Sequence, residues 1–364
     1  MEGVRGMDDR IPVTVLTGFL GSGKTTLLQR LLSCEDGAGV AVIVNELGEV
    51  SLDHLFVQKL TESTIVLKNG CICCTMREDL QTGLRELIDN RDRGLIDPFD
   101  RVVIETTGLA DPTPIAMTLD GDLLLKKQVR LANIIATIDA MFGADQLRDH
   151  EESMRQAAIA DRLVLTKTDI ASKEETARTR EKIHAVNPMA VVLDACSSES
   201  LWTQLFDIDP FDPRTKSSEV QHWLKRLPSI EVLKSNRSSG RYQGKNGKNV
   251  MIRGYHKDKN EEGGEIQTFA IRTEKPLNWT AFAIWLSALL HRHGNRILRI
   301  KGLLNVPGAL GPVVLNAVQS HITPPMHLDE WPDEDHTSRI VFIVQGLSPG
   351  LIQKSLDCFL SVLE

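Results

Sequence analysis

From Ile11 the chain reads as a strand (PVTVLTG), a glycine-rich turn (FLGSGK) and an amphipathic helix (TTLLQRLLS). Further β-branched runs follow at Val40–Asn45, Arg101–Glu105, Ile134–Ile138, Arg162–Leu165 and Ala190–Leu193. Most are separated by stretches of helical pattern, such as Asp79–Ile88 and Lys173–Ala185. Repeated strand–helix units of this kind predict an α/β fold with a doubly wound, mainly parallel sheet, whose ligands gather at the carboxyl ends of the strands.

The pattern changes after Asp209–Pro213, and Lys234–Gly264 is rich in Ser, Gly, Asn and Lys with little apolar content. It is expected to be a linker or polar insertion. Beyond it, TFAIRT, ILRIKGLLNV and RIVFIVQGL read as strands, and Trp279–His291 and Pro349–Leu363 as helices, predicting a smaller C-terminal α+β domain. The expected division is a nucleotide domain at 8–215, a linker at 216–264 and the α+β domain at 265–364.

Composition narrows the partners. Lys+Arg number 42 against 49 Asp+Glu, a net charge of −7, so there is no global attraction to nucleic acid or to an anionic membrane surface. The opening MEGVRGMDDR lacks the apolar run of a secretory signal, and no apolar segment approaches the roughly 20 residues that span a bilayer. A cytoplasmic protein is expected. Six cysteines are too sparse for a disulfide scaffold, and three of them, Cys71, Cys73 and Cys74, fall within four positions.

Gly18-Phe19-Leu20-Gly21-Ser22-Gly23-Lys24-Thr25 fits G-x-x-x-x-G-K-[ST], between a predicted strand and a predicted helix. Gly18, Gly21 and Gly23 let the backbone curl so that its N–H groups, including that of Ser22, face phosphates. Lys24 is placed to meet β/γ oxygens and the Thr25 hydroxyl to ligate Mg²⁺, with Thr26 beside it in the first helical turn. An acidic partner should end a later strand, and Glu105 does so, facing Mg²⁺ or orienting the attacking water; Gly108, three positions on, is a candidate to bind the γ-phosphate through its N–H. Lys24, Glu105 and Gly108 are therefore the expected catalytic residues.

Thr166-Lys167-Thr168-Asp169 closes the strand RLVL, where a base would lie. Asp169 can accept from N1–H and N2–H₂ of guanine but would be left unpaired by adenine, and Lys167 can cover the base face, so GTP is favoured over ATP. Cys196-Ser197-Ser198 follows the next strand and is a candidate to close over the base. In Gly70-Cys71-Ile72-Cys73-Cys74, three thiols suit a soft or borderline ion such as Zn²⁺ or Cu⁺, and an open fourth position suits transfer better than permanent structure. Inert buried cysteines and a redox pair are the alternatives. The scattered histidines, including His291, His293, His321 and His327, read as surface or satisfied residues.

Together, GFLGSGKTT, Asn45-Glu46-Leu47-Gly48-Glu49, the Cys-x-Cys-Cys run, Glu105-Thr106-Thr107-Gly108-Leu109-Ala110-Asp111-Pro112 and T-K-T-D resemble the CobW-type metallochaperone GTPases of the P-loop class. The resemblance spans most of Ile11 to Asp194, and RILRIKGLLN and RIVFI resemble the family's C-terminal domain. Leu47 and Thr107 depart mildly from the family's usual Phe and Ser, and Thr166 stands where many GTPases have Asn. The resemblance implies a GTPase carrying Zn²⁺ or Co²⁺ to a client metalloprotein or cofactor pathway, with Glu46 and Glu49 as acidic positions near the metal or Mg²⁺. A homodimer is left open. A GTP-binding metal sensor without meaningful turnover is the non-enzymatic alternative; a small-molecule kinase is the enzymatic one, disfavoured by the lack of an arginine-rich lid segment. Phe19 stands where related ATPases carry a second lysine.

Overall fold

In the computed structural model, residues 10–34, 37–46, 64–68, 75–197, 200–207, 220–221, 223–225, 227, 230–234 and 264–362 are described. They fall into two compact units, one holding residues up to Arg180 and from Ala190 to 207, the other Glu181–Met189 and the described residues from 220 onward.

The first unit is built on β1 (Ile11–Gly18), α1 (Lys24–Leu32), β2 (Val40–Glu46), β3 (Thr64–Lys68), α2 (Thr75–Asp92) and β4 (Arg101–Glu105). It continues with α3 (Thr113–Gly121), the short α4 (Leu125–Gln128), β5 (Val129–Asp139), α5 (Gly143–Asp149), α6 (Glu151–Ile159), β6 (Arg162–Thr166), α7 (Lys173–Val186, its last six residues counted with the second unit) and β7 (Val191–Asp194). Its strands form one sheet in the order β3-β2-β4-β1-β5-β6-β7, with every pairing parallel. A parallel sheet is covered on both faces, which is why β1, β4 and β6 are buried almost throughout instead of alternating. On α1, Leu27, Leu28, Leu31 and Leu32 form one buried face and pack into a cluster with Val42, Val44, Val103 and Val164. Each such leucine contributes about 1.5–3 kcal/mol through burial. A capping box starts α7: Ser172 Oγ accepts from Glu175 N at 3.1 Å, and Glu175 Oε2 accepts from Ser172 N at 2.8 Å.

The second unit holds β8 (Glu231–Lys234), β9 (Ile266–Thr273), α8 (Trp279–His293), β10 (Ile297–Leu304), β11 (Val313–Val318), β12 (His321–Ile322), β13 (Met326–His327), β14 (Ser338–Gln345) and α9 (Pro349–Val362). The sheet runs β12-β11-β10-β14-β9-β8, with β13 also on β11; its pairs are antiparallel except β8 with β9. Phe282, Trp285, Leu286 and Leu290 of α8 and Ile352, Leu356 and Leu360 of α9 bury against Phe269, Ile300 and Phe342. Asn278 caps α8, accepting from Ala281 N at 3.0 Å.

Two strands depart from the pattern: β5 begins at Val129, five residues before Ile134, and β11 lies in a segment with no assigned strand. β3 likewise lies in such a segment. No described helix is long and apolar enough to cross a membrane.

Candidate nucleotide site

Because all strands of the first sheet run parallel, the segments that follow β1, β4, β5, β6 and β7 share one edge. The turn after β1 curls tightly. Gly18 has φ of 142°, and a Cβ there would lie 2.3 Å from Thr137 Oγ1 and 2.7 Å from Ser22 Oγ, so both conformation and space require glycine. Gly21 forms the exposed tip, and Gly23 is the N-cap of α1, with neither a side-chain cap nor an acidic residue in the first turn. That end of α1 offers its N–H groups and positive dipole end to an anion. Buried Ser22 Oγ pairs with Thr137 Oγ1 at 2.6 Å, while Thr26 is exposed on the first turn.

Lys24 Nζ folds back over the turn, donating to Gly18 O at 2.9 Å and Phe19 O at 3.3 Å. Thr25 Oγ1 donates to Glu105 Oε1 at 2.6 Å. The hydroxyl and the carboxylate, 80 positions apart in sequence, therefore meet beside the curled turn, as hard oxygen donors of the type that Mg²⁺ takes.

After Glu105 the chain is tied to β1, with Thr106 N bonding Leu16 O at 2.9 Å and Thr106 Oγ1 bonding Thr17 Oγ1 at 2.9 Å. Thr107–Ala110 then closes a turn through Ala110 N to Thr107 O at 3.1 Å. Gly108 packs directly on the phosphate loop: a Cβ there would sit 2.7 Å from Leu20 N and 2.8 Å from Leu20 Cα. Lys24, Thr25, Glu105 and Gly108 are thus brought together.

The T-K-T-D segment closes the other side. Thr166 Oγ1 donates to Ser22 O at 2.7 Å, so the residue that replaces the common Asn spends its hydroxyl on the phosphate loop. Lys167 has φ of 59° and its Nζ bonds Asp139 Oδ2 at 2.7 Å. Asp139, at the end of β5, also accepts from the backbone N–H groups of Met141 and Phe142, so it anchors both Lys167 and the start of α5. Asp169 is exposed, with Cys196 Sγ donating to its Oδ1 at 3.6 Å. Thr168 Oγ1 and Cys196 N both donate to Asp194 Oδ1, which joins this loop to the one after β7. Asp139 and Asp194 were missed in the sequence; their only signal is an Asp ending a β-branched run.

Cys71, Cys73, Cys74, Leu47, Glu49 and Ser198 lie outside the described residues, as does the side chain of Glu46, which ends β2. Residues 235–263 also lie outside them. Among the described residues no group of three His, Cys, Asp or Glu side chains is arranged to hold a metal. Of the C-terminal histidines, His291 and His327 are exposed, His321 is buried, and burial, with Arg292 and Arg296 nearby, lowers the His293 pKa.

Residues 12–194 match the nucleotide-binding domain of CobW/HypB/UreG proteins, and residues 266–360 match the cobalamin synthesis protein CobW C-terminal domain. The chain belongs to the CobW/HypB/UreG family. Among CobW relatives it is 31% identical over 333 residues to the zinc chaperone YjiA of Escherichia coli, covering 92% of this chain and 93% of that one. A zinc-regulated GTPase metalloprotein activator 1 of Schizosaccharomyces pombe is 37% identical over 193 residues, 51% of this chain and 46% of the relative. The crystal structure of Zn(II)-bound YjiA GTPase from E. coli superimposes with a TM-score of 0.66 at 27% identity, covering 96% of this chain and 99% of that one. The CobW assignment accounts for both the P-loop sheet and the C-terminal α+β unit.

Proposed function

We propose that this chain is a GTP-hydrolysing metallochaperone that binds a transition metal at Cys71, Cys73 and Cys74 and couples the nucleotide cycle to transfer of that metal to a client metalloprotein. The contact between Thr25 and Glu105 at 2.6 Å, set beside the phosphate loop, carries the nucleotide half of this reading. Relatives named as a zinc chaperone and a zinc-regulated GTPase support the metal half and favour zinc over cobalt.

In this reading Gly18, Gly21, Ser22 and Gly23 cradle the phosphates, and Thr26 lies beside them. Lys24 exchanges its two carbonyl partners for β/γ oxygens, stabilising the charge that grows as water adds to the γ-phosphorus and the bond to GDP breaks. Thr25 and Glu105 hold Mg²⁺, which neutralises phosphate charge when bound. Gly108 senses the γ-phosphate through its N–H. Asp169 reads the N1–H and N2–H₂ edge of guanine, with Lys167, held by Asp139, along the base face. Glu46 and Glu49 complete or adjoin the thiolate site.

Phosphate release from GTP and from ATP, followed while Zn²⁺ is titrated, tests the proposal. Turnover specific for GTP and modulated by Zn²⁺ is expected. GTP binding without turnover at any zinc concentration would instead favour a metal sensor, and equal use of ATP would remove the guanine assignment.

A further inference from the structure

Gln156 is one of the buried residues of α6, with Ser153, Ala157, Ala158 and Ile159, and only 1% of its surface is exposed. A long amide buried this far needs hydrogen-bond partners. Its Nε2 donates to Gly108 O at 3.1 Å and to Ala110 O at 2.9 Å. Both acceptors belong to the Thr107–Ala110 turn that rests on Leu20 of the phosphate loop. The amide orientation follows from chemistry: two carbonyl oxygens face one end, so that end must be the NH₂. Its Oε1 is buried with no hydrogen-bond partner among the described residues, a cost that the two donated bonds must outweigh. The same helix also reaches the phosphate loop directly, because His150, its N-cap, stacks on Phe19 with ring centroids 4.4 Å apart at 26°.

We propose that Gln156 is a positioning residue for hydrolysis: without touching nucleotide, it clamps the turn so that Gly108 stays against the phosphate loop, where its N–H can meet the γ-phosphate. This inference rests on the reading of the site as a GTPase. Two hydrogen bonds from one side chain to one turn act on the segment that must respond to the γ-phosphate, while the guanine loop and the N-terminus of α1 are held by other contacts. Loss of the clamp should therefore slow the chemical step and leave GDP binding intact.

The test uses the full chain with Gln156→Met, which keeps length and removes both donors, and Gln156→Glu, which turns an oxygen toward the two carbonyls. The expected result for Gln156→Met is a fall in kcat of roughly ten- to a hundredfold, the scale of two lost hydrogen bonds, with GDP affinity kept within about twofold. In Gln156→Glu, kcat relative to wild type should rise as pH falls, since a buried carboxyl protonates readily and then supplies one O–H donor; Gln156→Met should show no such recovery. Three results would overturn the inference: wild-type kcat in Gln156→Met, a loss of GDP affinity equal to the loss in kcat, or a pH-independent ratio for Gln156→Glu. A wild-type chain that does not hydrolyse GTP rejects the functional reading itself and the inference with it.

Discussion

Replacing Gly108 with alanine tests whether close approach of the turn to the phosphate loop matters. Gly108 does not have positive φ, so alanine is allowed by the backbone and only the contact opposes it. The new Cβ would lie 2.6 Å from Leu20 Cδ2, 2.7 Å from its N and 2.8 Å from its Cα, where ordinary contact is 3.4–4 Å. Rotating the leucine side chain relieves the first of these; the other two are backbone, so the turn or the phosphate loop must move. Overpacking of this kind costs about 1–3 kcal/mol, offset by about 0.4–1 kcal/mol from the stiffer unfolded chain. A net loss of up to about 2.5 kcal/mol lowers Tm by several degrees, at about 2–4 °C per kcal/mol for a unit of this size. Turnover should suffer more, because a misplacement near 1 Å at a reacting centre costs about a hundredfold. Gly121→Ala is the control, with open space around the new methyl and no positive φ. Thermal unfolding and single-turnover GTP hydrolysis of the two variants decide the matter. Wild-type turnover in Gly108→Ala would refute the packing argument.

Lys24→Ala is expected to abolish measurable GTP hydrolysis while leaving zinc binding by the thiols intact, checked by phosphate release and metal titration. Asp169→Asn should weaken guanine selectivity by roughly ten- to a hundredfold, the worth of a charged hydrogen-bonding pair, read as the ratio of GTP to ATP kcat/KM. Ser172→Ala should destabilise the chain by about 0.5–2 kcal/mol in thermal unfolding, through loss of the α7 cap. The Asp122 carboxyl is held below its ordinary value of 3.8, first by the Leu125 backbone N–H, against the opposing effect of burial, with Leu124 N–H and Arg85 adding to it. Its contribution is therefore complete above that ordinary value and is lost as pH falls through the lowered folded value, so the Tm gap between wild type and Asp122→Asn should close in acid. A gap unchanged by acidification would contradict that assignment.

The parallel sheet and phosphate loop were legible because both write themselves into contiguous residues. β1, β4 and β6 are strands of five to eight residues rich in Val, Ile and Leu, and the Gly18–Thr25 turn needs its glycines in fixed places. β3 was missed although its five residues, TIVLK, carry as many apolar positions as β4 and β6, so its pattern was no weaker than theirs. β11 was hidden by Asn316, which interrupts VVLNAV where Lys301 of β10 is its register partner. Gln156 had no signature either, since a buried amide reads as one more polar position on a surface helix. The pairing of Lys167 with Asp139 joins residues 28 apart, and that of Thr166 with Ser22 joins residues 144 apart; only the folded sheet edge brings them together. Conversely, the thiol run was plain in sequence, as three cysteines in four positions, while its geometry lies outside the described residues.

In the proposed cycle, the nucleotide state sets metal affinity. Zn²⁺ affinity, measured by competition with a chelator in the presence of Mg²⁺ and either GDP or a non-hydrolysable GTP analogue, tests it most directly. Zinc should bind more tightly with the analogue, by about 5–150-fold for couplings of roughly 1–3 kcal/mol, with an equal rise in analogue affinity when zinc is bound and loss of the difference in Cys73→Ser. Identical zinc affinities in the two nucleotide states would contradict it.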